Sequence, residues 1–181
     1  MSVLAAGLVP ATYNIDPTHT TAGFVVRHAG ISKVRGSVPV TTGAIVVAEP
    51  IENSTVTVEL NATEISTGTA DRDAHLRSAD FFNTDVNPTW TFNSTSVVAD
   101  GDDLKVTGDL TMNGVTKSVT LDVEYTGSAV DPFGLSRAAF EGKIEISRKE
   151  FGLTWNAALE AGGLLVSDKV RIEIEVSAVA A

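Results

Sequence analysis

The chain has 181 residues, a formal charge of −10 and no cysteine. Its length suits one well-buried core, while the acidic balance, with no Lys/Arg-dense face, argues against nucleic acid and against electrostatic attachment to anionic membranes. The lack of cysteine removes disulfides, thiolate metal sites and a cysteine nucleophile together, and no stretch approaches the ~18 apolar residues of a membrane-spanning helix.

Valine and threonine are abundant, a β-branched bias that points to strands. Residues 1–11 carry no period and are expected to form an N-terminal arm, either loose or packed as a plug on one end of the fold. Their apolar portion is short, lacks Lys and Arg and is broken at Pro10, so it does not read as a secretion signal. A cytoplasmic location without stable membrane insertion is expected. Residues 12–181 read as a single domain. A short strand near Tyr13 turns at Pro17, and AGFVVRH then alternates, with Phe24, Val26 and His28 on one face and Val25 and Arg27 on the other. Between Lys33 and Val47 the presence of Gly36, Pro39 and Gly43 predicts either a sharply curved long strand or a hairpin. Val56, Val58 and Leu60 next alternate with Thr57, Glu59 and Asn61, the pattern of a half-buried strand.

Alternation stops at Asp71–Phe82, DRDAHLRSADFF, where ionisable residues concentrate ahead of two aromatics. Helical spacing places Arg72, His75 and Leu76 on one face and Asp73 with Arg77 on a neighbouring one. Thr67, Thr69 and Asp71 are candidate N-caps. The stretch is expected to form a short helix closing one end of a barrel; a plain surface connection held by Asp and Arg pairs is the alternative.

Trp90 and Phe92 open the next strand, which ends at Val97 and Val98 before an acidic turn. Leu104, Val106, Leu110 and Met112 then share a side with Gly108 among them. Asn113-Gly114 favours a tight hairpin into Thr116–Thr126, where Val119, Leu121, Val123 and Tyr125 alternate with polar residues. Phe140, Ile144 and Ile146 are in phase within Arg137–Ser147, as are Val170, Ile172, Ile174 and Val176 in the last run. RKEFGLTW, Arg148–Trp155, sets Phe151 and Trp155 four residues apart, as a barrel-closing plug or a ligand wall. The count gives an all-β fold of about eight antiparallel strands. An up-and-down barrel is preferred over a sandwich because closure removes exposed edges. Small inward residues, with Gly23, Gly36, Gly108 and Gly142 interspersed, favour a cavity over a filled core.

Little catalytic chemistry is visible. His19, His28 and His75 lack metal-ligand spacing, no GxSxG or GxxxxGK occurs, and the paired carboxylates sit in turn-like contexts. The expectation is no metal site, no catalytic residue and no required cofactor. An apolar cavity would take a hydrocarbon chain, at about 0.8 kcal/mol per buried methylene. A polar end would lie at a mouth, within reach of Arg and His donors.

Taken together, YNIDPTHTTAGFVVRH, KVRGSV, RDAHLRSADFF, PTWTFNSTS, TGDLTMNGVTKSVTLDVEY and RKEFGLTWN resemble the YceI-like family of bacterial polyisoprenoid-binding proteins over about residues 12–178. The resemblance implies a lipocalin-like barrel whose interior holds an isoprenoid chain, a polyprenyl lipid or the tail of a quinone, without catalysis. It also implies that Arg72, Asp73, His75, Leu76 and Phe82 shape the mouth. By strand parity Phe24, Val26, Trp90, Phe92, Leu110, Met112 and Phe140 line the pocket, and His28 and Trp155 complete the candidate ligand set. The absence of a recognisable secretion signal favours the cytoplasmic branch of that family. The insert WNAALEAGGLLVSDKV is expected to form a short helix over a barrel end. A homodimer through an exposed strand face or edge is compatible with the pattern. Two other readings stay open: an enzyme acting on an amphipathic substrate with His75 and Asp71 as acid and base, and a stress-linked structural or interaction module.

Overall fold

The computed structural model describes residues 4–101, 103–157, 159 and 165–181. Ten strand segments build one antiparallel sheet: β1 (Ala11–Ile15), β2 (Thr21–His28), β3 (Ser32–Ser37), β4 (Val40–Val47), β5 (Thr55–Asn61), β6 (Thr89–Asp100), β7 (Asp103–Met112), β8 (Val115–Val130), β9 (Ser136–Ser147) and β10 (Val166–Ala180). Their order is β1-β4-β5-β6-β7-β8-β9-β10-β2-β3, and β1 also pairs with β10, which closes the sheet on itself.

Ten segments make eight staves. A 3₁₀ turn at Pro17–His19 interrupts one stave, whose halves β1 and β2 both pair with β10. Val38 and Pro39 interrupt the second, whose halves are β3 and β4. The Lys33–Val47 segment is therefore a curved strand and not a hairpin, as a proline without an N–H and two glycines allow. Backbone bonds between Ser37 and Ser66 hold the lower end of β3 where it leaves the ladder.

Alternation puts the apolar rows inside. Val56, Val58 and Leu60, then Val119, Leu121 and Val123, then Val170, Ile172, Ile174 and Val176 all face the interior. The phase is not constant along every strand. A register shift between Ser94 and Ser96 moves the inward row of β6 from Trp90 and Phe92 to Val97, leaving Val98 outside and half exposed. The strand runs on to Asp100 because the bulge restores a productive face.

At the break between β1 and β2 an ion-pair cluster replaces the missing ladder bonds. Asp16 accepts from Thr18 N, from Thr18 Oγ1 and from Arg137 Nη1, the last at 2.8 Å, and lies 3.0 Å from His19 Nδ1. Arg137 also donates through Nε to Asp131 at 2.8 Å, so one guanidinium ties the broken stave to the loop between β8 and β9. Arg137, then Thr18 and His19, hold the Asp16 carboxyl well below the usual carboxylate range; Arg137 and the Leu135 N–H do the same for Asp131. The N-terminal arm packs at this end of the barrel. Leu8 is buried against the core, and Tyr13 donates its hydroxyl proton to the Val9 carbonyl at 2.8 Å.

Two outcomes follow. A Cβ at Gly108 would stand 2.5 Å from the Phe92 ring and 2.6 Å from the Asn93 carbonyl. Because that oxygen is backbone and cannot turn away, Gly108→Ala is expected to destabilise by about 1–3 kcal/mol, despite alanine's better strand entropy, as read by urea denaturation. Acid sensitivity follows from the depressed carboxyls. Their contribution is complete above the unfolded-state value of about 3.9 and is lost as pH falls from there through the lower folded-state values. Urea midpoints measured from pH 7 downward should fall steeply below about pH 4, and Asp16→Asn should lower the neutral midpoint while flattening that slope.

Candidate functional site: an apolar cavity under a helical lid

The inward rows enclose a cavity of about 230 Å³, far more than a single water occupies, so the barrel is hollow. Apart from Thr20, Ser54, Arg148 and the indole of Trp90, the wall is hydrocarbon, thioether or glycine.

Glycines act on this wall in an unexpected way. Gly36 lies under the Phe24 ring, to which an added Cβ would approach within 2.3 Å, and Gly108 lies against Phe92. These rings lie along the sheet in the space where side chains would otherwise stand. Gly36 and Gly108 thus seat aromatic rings, whereas Gly23 and Gly142 stand on the cavity wall itself with no ring over them.

One end is covered by the segment between β5 and β6. Its helix α1 spans Ala70–Arg77 and is followed by turns through Asn83 that carry Phe81 and Phe82. Leu76, Phe81 and Phe82 all reach the cavity wall. Thr69 occupies the N-cap position without a side-chain cap bond. Asp73, only 9 % exposed, instead reaches back and accepts from the Thr67 N–H at 2.7 Å and from its hydroxyl. Arg72 donates to the Thr67 hydroxyl at 2.7 Å and to its carbonyl at 2.9 Å. The helix entry is thus tied down by its own charged residues.

Of the residues singled out from sequence, Phe24, Val26, Leu76, Phe82, Trp90, Phe92, Leu110, Met112 and Phe140 lie together on the cavity wall. Four others are elsewhere. His28 is exposed at the end of β2, Arg72 is committed to Thr67, and His75 bonds Asp80 through Nε2 at 2.9 Å. His75 also stacks edge-on against Phe81 and Trp155, with ring centroids 5.0 and 4.7 Å away. Trp155 is therefore a seam between lid and closing loop, which favours the plug over the ligand wall. Phe151 is fully buried and off the wall. The expected use of Arg72, His28 and His75 as donors at a mouth does not match this geometry, because none of the three lies on the cavity wall and the first and third bond short-range partners within the lid. Asp71 is exposed and is not the partner of His75. The helix expected in the insert before β10 falls largely on residues 158 and 160–164, outside the described residues. Among the described residues, no three of His, Asp or Glu are grouped to hold a metal ion.

Arg148 was not anticipated. It is 3 % exposed and lines the cavity, yet its donors all go to backbone carbonyls: Nε to Ser167, Nη1 to Leu153 and Trp155, and Nη2 to Val166. Burial pulls its pKa below the ordinary guanidinium value, against the attraction of Asp168. A guanidinium is the one side chain with enough donors to gather four such carbonyls. It clamps the loop after β9 to the start of β10 across the lidded end. Phe81 was also missed as a wall residue; its adjacency to Phe82 at the foot of the helix was the available signal.

A closed antiparallel barrel with an apolar cavity and a lid defines a lipocalin-like binding fold. Comparison with known proteins places it more narrowly. The family model for the YceI-like domain matches residues 13–178, and the chain belongs to the YceI-like family. It is 44 % identical over 153 residues to the protein YceI of Escherichia coli O17:K52:H18, covering 82 % of this chain and 80 % of that one. Among solved structures it resembles BcnA of Burkholderia cenocepacia, with TM-score 0.78, 17 % identity, and coverage of 90 % of this chain and 98 % of that one. It also resembles a polyisoprenoid binding domain from Saccharophagus degradans implicated in plant cell wall breakdown, with TM-score 0.68, 18 % identity, and coverage of 96 % and 100 %.

Replacing Arg148 by methionine keeps its bulk and abandons four carbonyls, so a loss on the order of 3 kcal/mol in unfolding free energy is expected by urea titration.

Proposed function

We propose that this protein binds a lipid chain of the polyisoprenoid type, a polyprenyl lipid or the tail of an isoprenoid quinone, within the barrel, and acts as a binding or carrier protein without catalysing a reaction. The observation that carries this reading is the continuous hydrocarbon wall under a lid that contributes Leu76, Phe81 and Phe82 to it. Such a wall discriminates by burial and shape. About ten buried methylenes are worth roughly 8 kcal/mol, comparable to micromolar binding before ordering costs are subtracted. The structural neighbour described as a polyisoprenoid binding domain supports the same class of guest. The non-catalytic reading is supported by His75 being held to Asp80 and packed against Trp155, off the wall where a substrate would lie.

Extraction of the purified protein into organic solvent, followed by mass spectrometry, is expected to release a prenyl-chain lipid. Addition of an isoprenoid to the stripped protein is expected to raise its unfolding free energy, by about 2.7 kcal/mol at a hundredfold excess over the dissociation constant. No extractable lipid together with no stabilisation by added isoprenoid would overturn the proposal.

A further inference from the structure

The whole-chain charge, which argued against attachment to anionic membranes, conceals where the charges stand. Along β10 the side chains that alternate with the inward row are Lys169, Arg171, Glu173 and Glu175, so the sign changes within one strand. Toward the arm end Glu175 faces Glu141, Glu141 faces Glu124, and Glu124 faces Asp103, a row of carboxylates in register across four strands. Toward the lid end the sign is reversed. Arg171 and Arg35 flank Val25, and Arg27 pairs with Lys33, so that with Lys169 five exposed cations share the outer face of β10, β2 and β3. Lys169 and Arg171 have Asp168, Glu145 and Glu173 beside them. Arg27, Lys33 and Arg35 have no carboxylate at ion-pair distance among the described residues.

The turn between β2 and β3 adds an apolar tip to this patch. Ala29 and Gly30 take positive φ, 53° and 72°, the Ile31 N–H donates to the His28 carbonyl at 3.2 Å, and Ile31 is left 84 % exposed. An isoleucine projecting beside cations suits the boundary between acyl chains and anionic headgroups, where apolar burial and charge attraction act together. One exposed apolar residue is too small a centre for a stable protein interface. The inner face of the same hairpin puts Phe24 and Val26 on the cavity wall. β3 ends the strand order, and beyond the Ser37–Ser66 bridge β2 is its only strand neighbour among the described residues. The lid segment begins on the other side of that bridge, so the wall is not laddered between hairpin and lid.

We infer that the β2–β3 hairpin docks the barrel on an anionic bilayer, with Ile31 among the headgroups and Arg27, Lys33 and Arg35 against their phosphates. The purpose of docking, to bring the lidded end to the source of the guest, rests on the lipid-binding reading; the docking itself does not. The carboxylate row does not cancel the attraction. From Arg27 to Thr21, which stands opposite Glu175, is about 20 Å of strand, beyond the Debye length of about 8 Å at physiological salt. That row turns the arm end away from the same surface.

The test uses the full chain in flotation with vesicles of phosphatidylcholine alone and of phosphatidylcholine with about 30 % phosphatidylglycerol. Binding is expected to the anionic vesicles, weakening as salt is raised. Lys33→Ala with Arg35→Ala should weaken it about 25-fold, near fivefold for each cation, and Ile31→Ser should weaken it further. Lys105→Ala with Lys143→Ala, the same loss of charge nearer the carboxylate row, should leave it near the wild-type value. Transfer of a fluorescent prenyl probe from anionic vesicles should slow in the Lys33/Arg35 variant, while stabilisation of that variant by added farnesol stays as in the wild type. Equal binding to both vesicles, or equal loss in the two double variants, would overturn the inference, and stabilisation by farnesol would still leave lipid binding standing. Salt-sensitive docking through Lys33 and Arg35 without stabilisation by farnesol or uptake of the probe would overturn the lipid-binding reading and leave the docking surface.

Discussion

The backbone pairing that joins the first strand to the last carries the architecture. Tyr13, Asn14 and Ile15 meet Ala180, Val179 and Ala178, and through those few residues a ten-segment sheet becomes a cylinder. Once closed, most main-chain donors and acceptors in the wall pair with a neighbouring strand, whatever lies inside. An open sheet would have to pack a second layer onto its apolar face; a cylinder packs that face against itself. A lumen of about 230 Å³ can then persist in a stable fold, because the polar obligations of the chain are met around the circumference.

The two ends of the cylinder are held by different chemistry. At the arm end, the ladder fails where Pro17 breaks the first stave, and the Asp16–Arg137–Asp131 cluster takes over from the backbone. At the lid end, the restraint is a set of side-chain bonds to main chain: Asp73 and Arg72 onto Thr67, and Arg148 onto four carbonyls of the closing loop and β10. Both ends use guanidinium groups, whose planar fork reaches several acceptors at once. The lid helix itself is short and weakly amphipathic, with Leu76 its apolar contribution to the lumen. Its position is owed to these bonds and to the aromatic seam of His75, Phe81 and Trp155.

The wall was more legible in the sequence than the mouth. Period-two alternation has a single solution once one face is buried, so Val56, Val58 and Leu60 or Ile172 and Ile174 could be placed inside from pattern alone. Where a bulge shifts the phase, as between Ser94 and Ser96, no residue type announces it, and Val97 and Val98 cannot be sorted in advance. Gly36 and Gly108 were readable as small inward positions, but that Phe24 and Phe92 would lie over them depends on cross-strand register. The charged residues of the lid were recognisable as a group, yet their use was not: Arg72 and Asp73 both bond Thr67, five and six residues back along the chain, and neither lies on the cavity wall. Arg148 was hidden for a related reason. Flanked by Lys149 and Glu150 it reads as a solvated turn, and its partners are backbone carbonyls, which carry no side-chain signature.

A hollow barrel faces an energetic problem that a filled one does not. Atoms bordering a void lose the dispersion contacts they would make in a packed interior, so the cavity that permits binding also lowers the stability of the protein alone. A guest that fills it restores those contacts and, by mass action, stabilises only the folded state. On the proposed reading, the void recovers its loss from any hydrocarbon tail that fits the lumen, because the wall is almost wholly apolar and offers contact without direction. Affinity then resides in the burial of the tail, and occupancy and stability of the fold rise together.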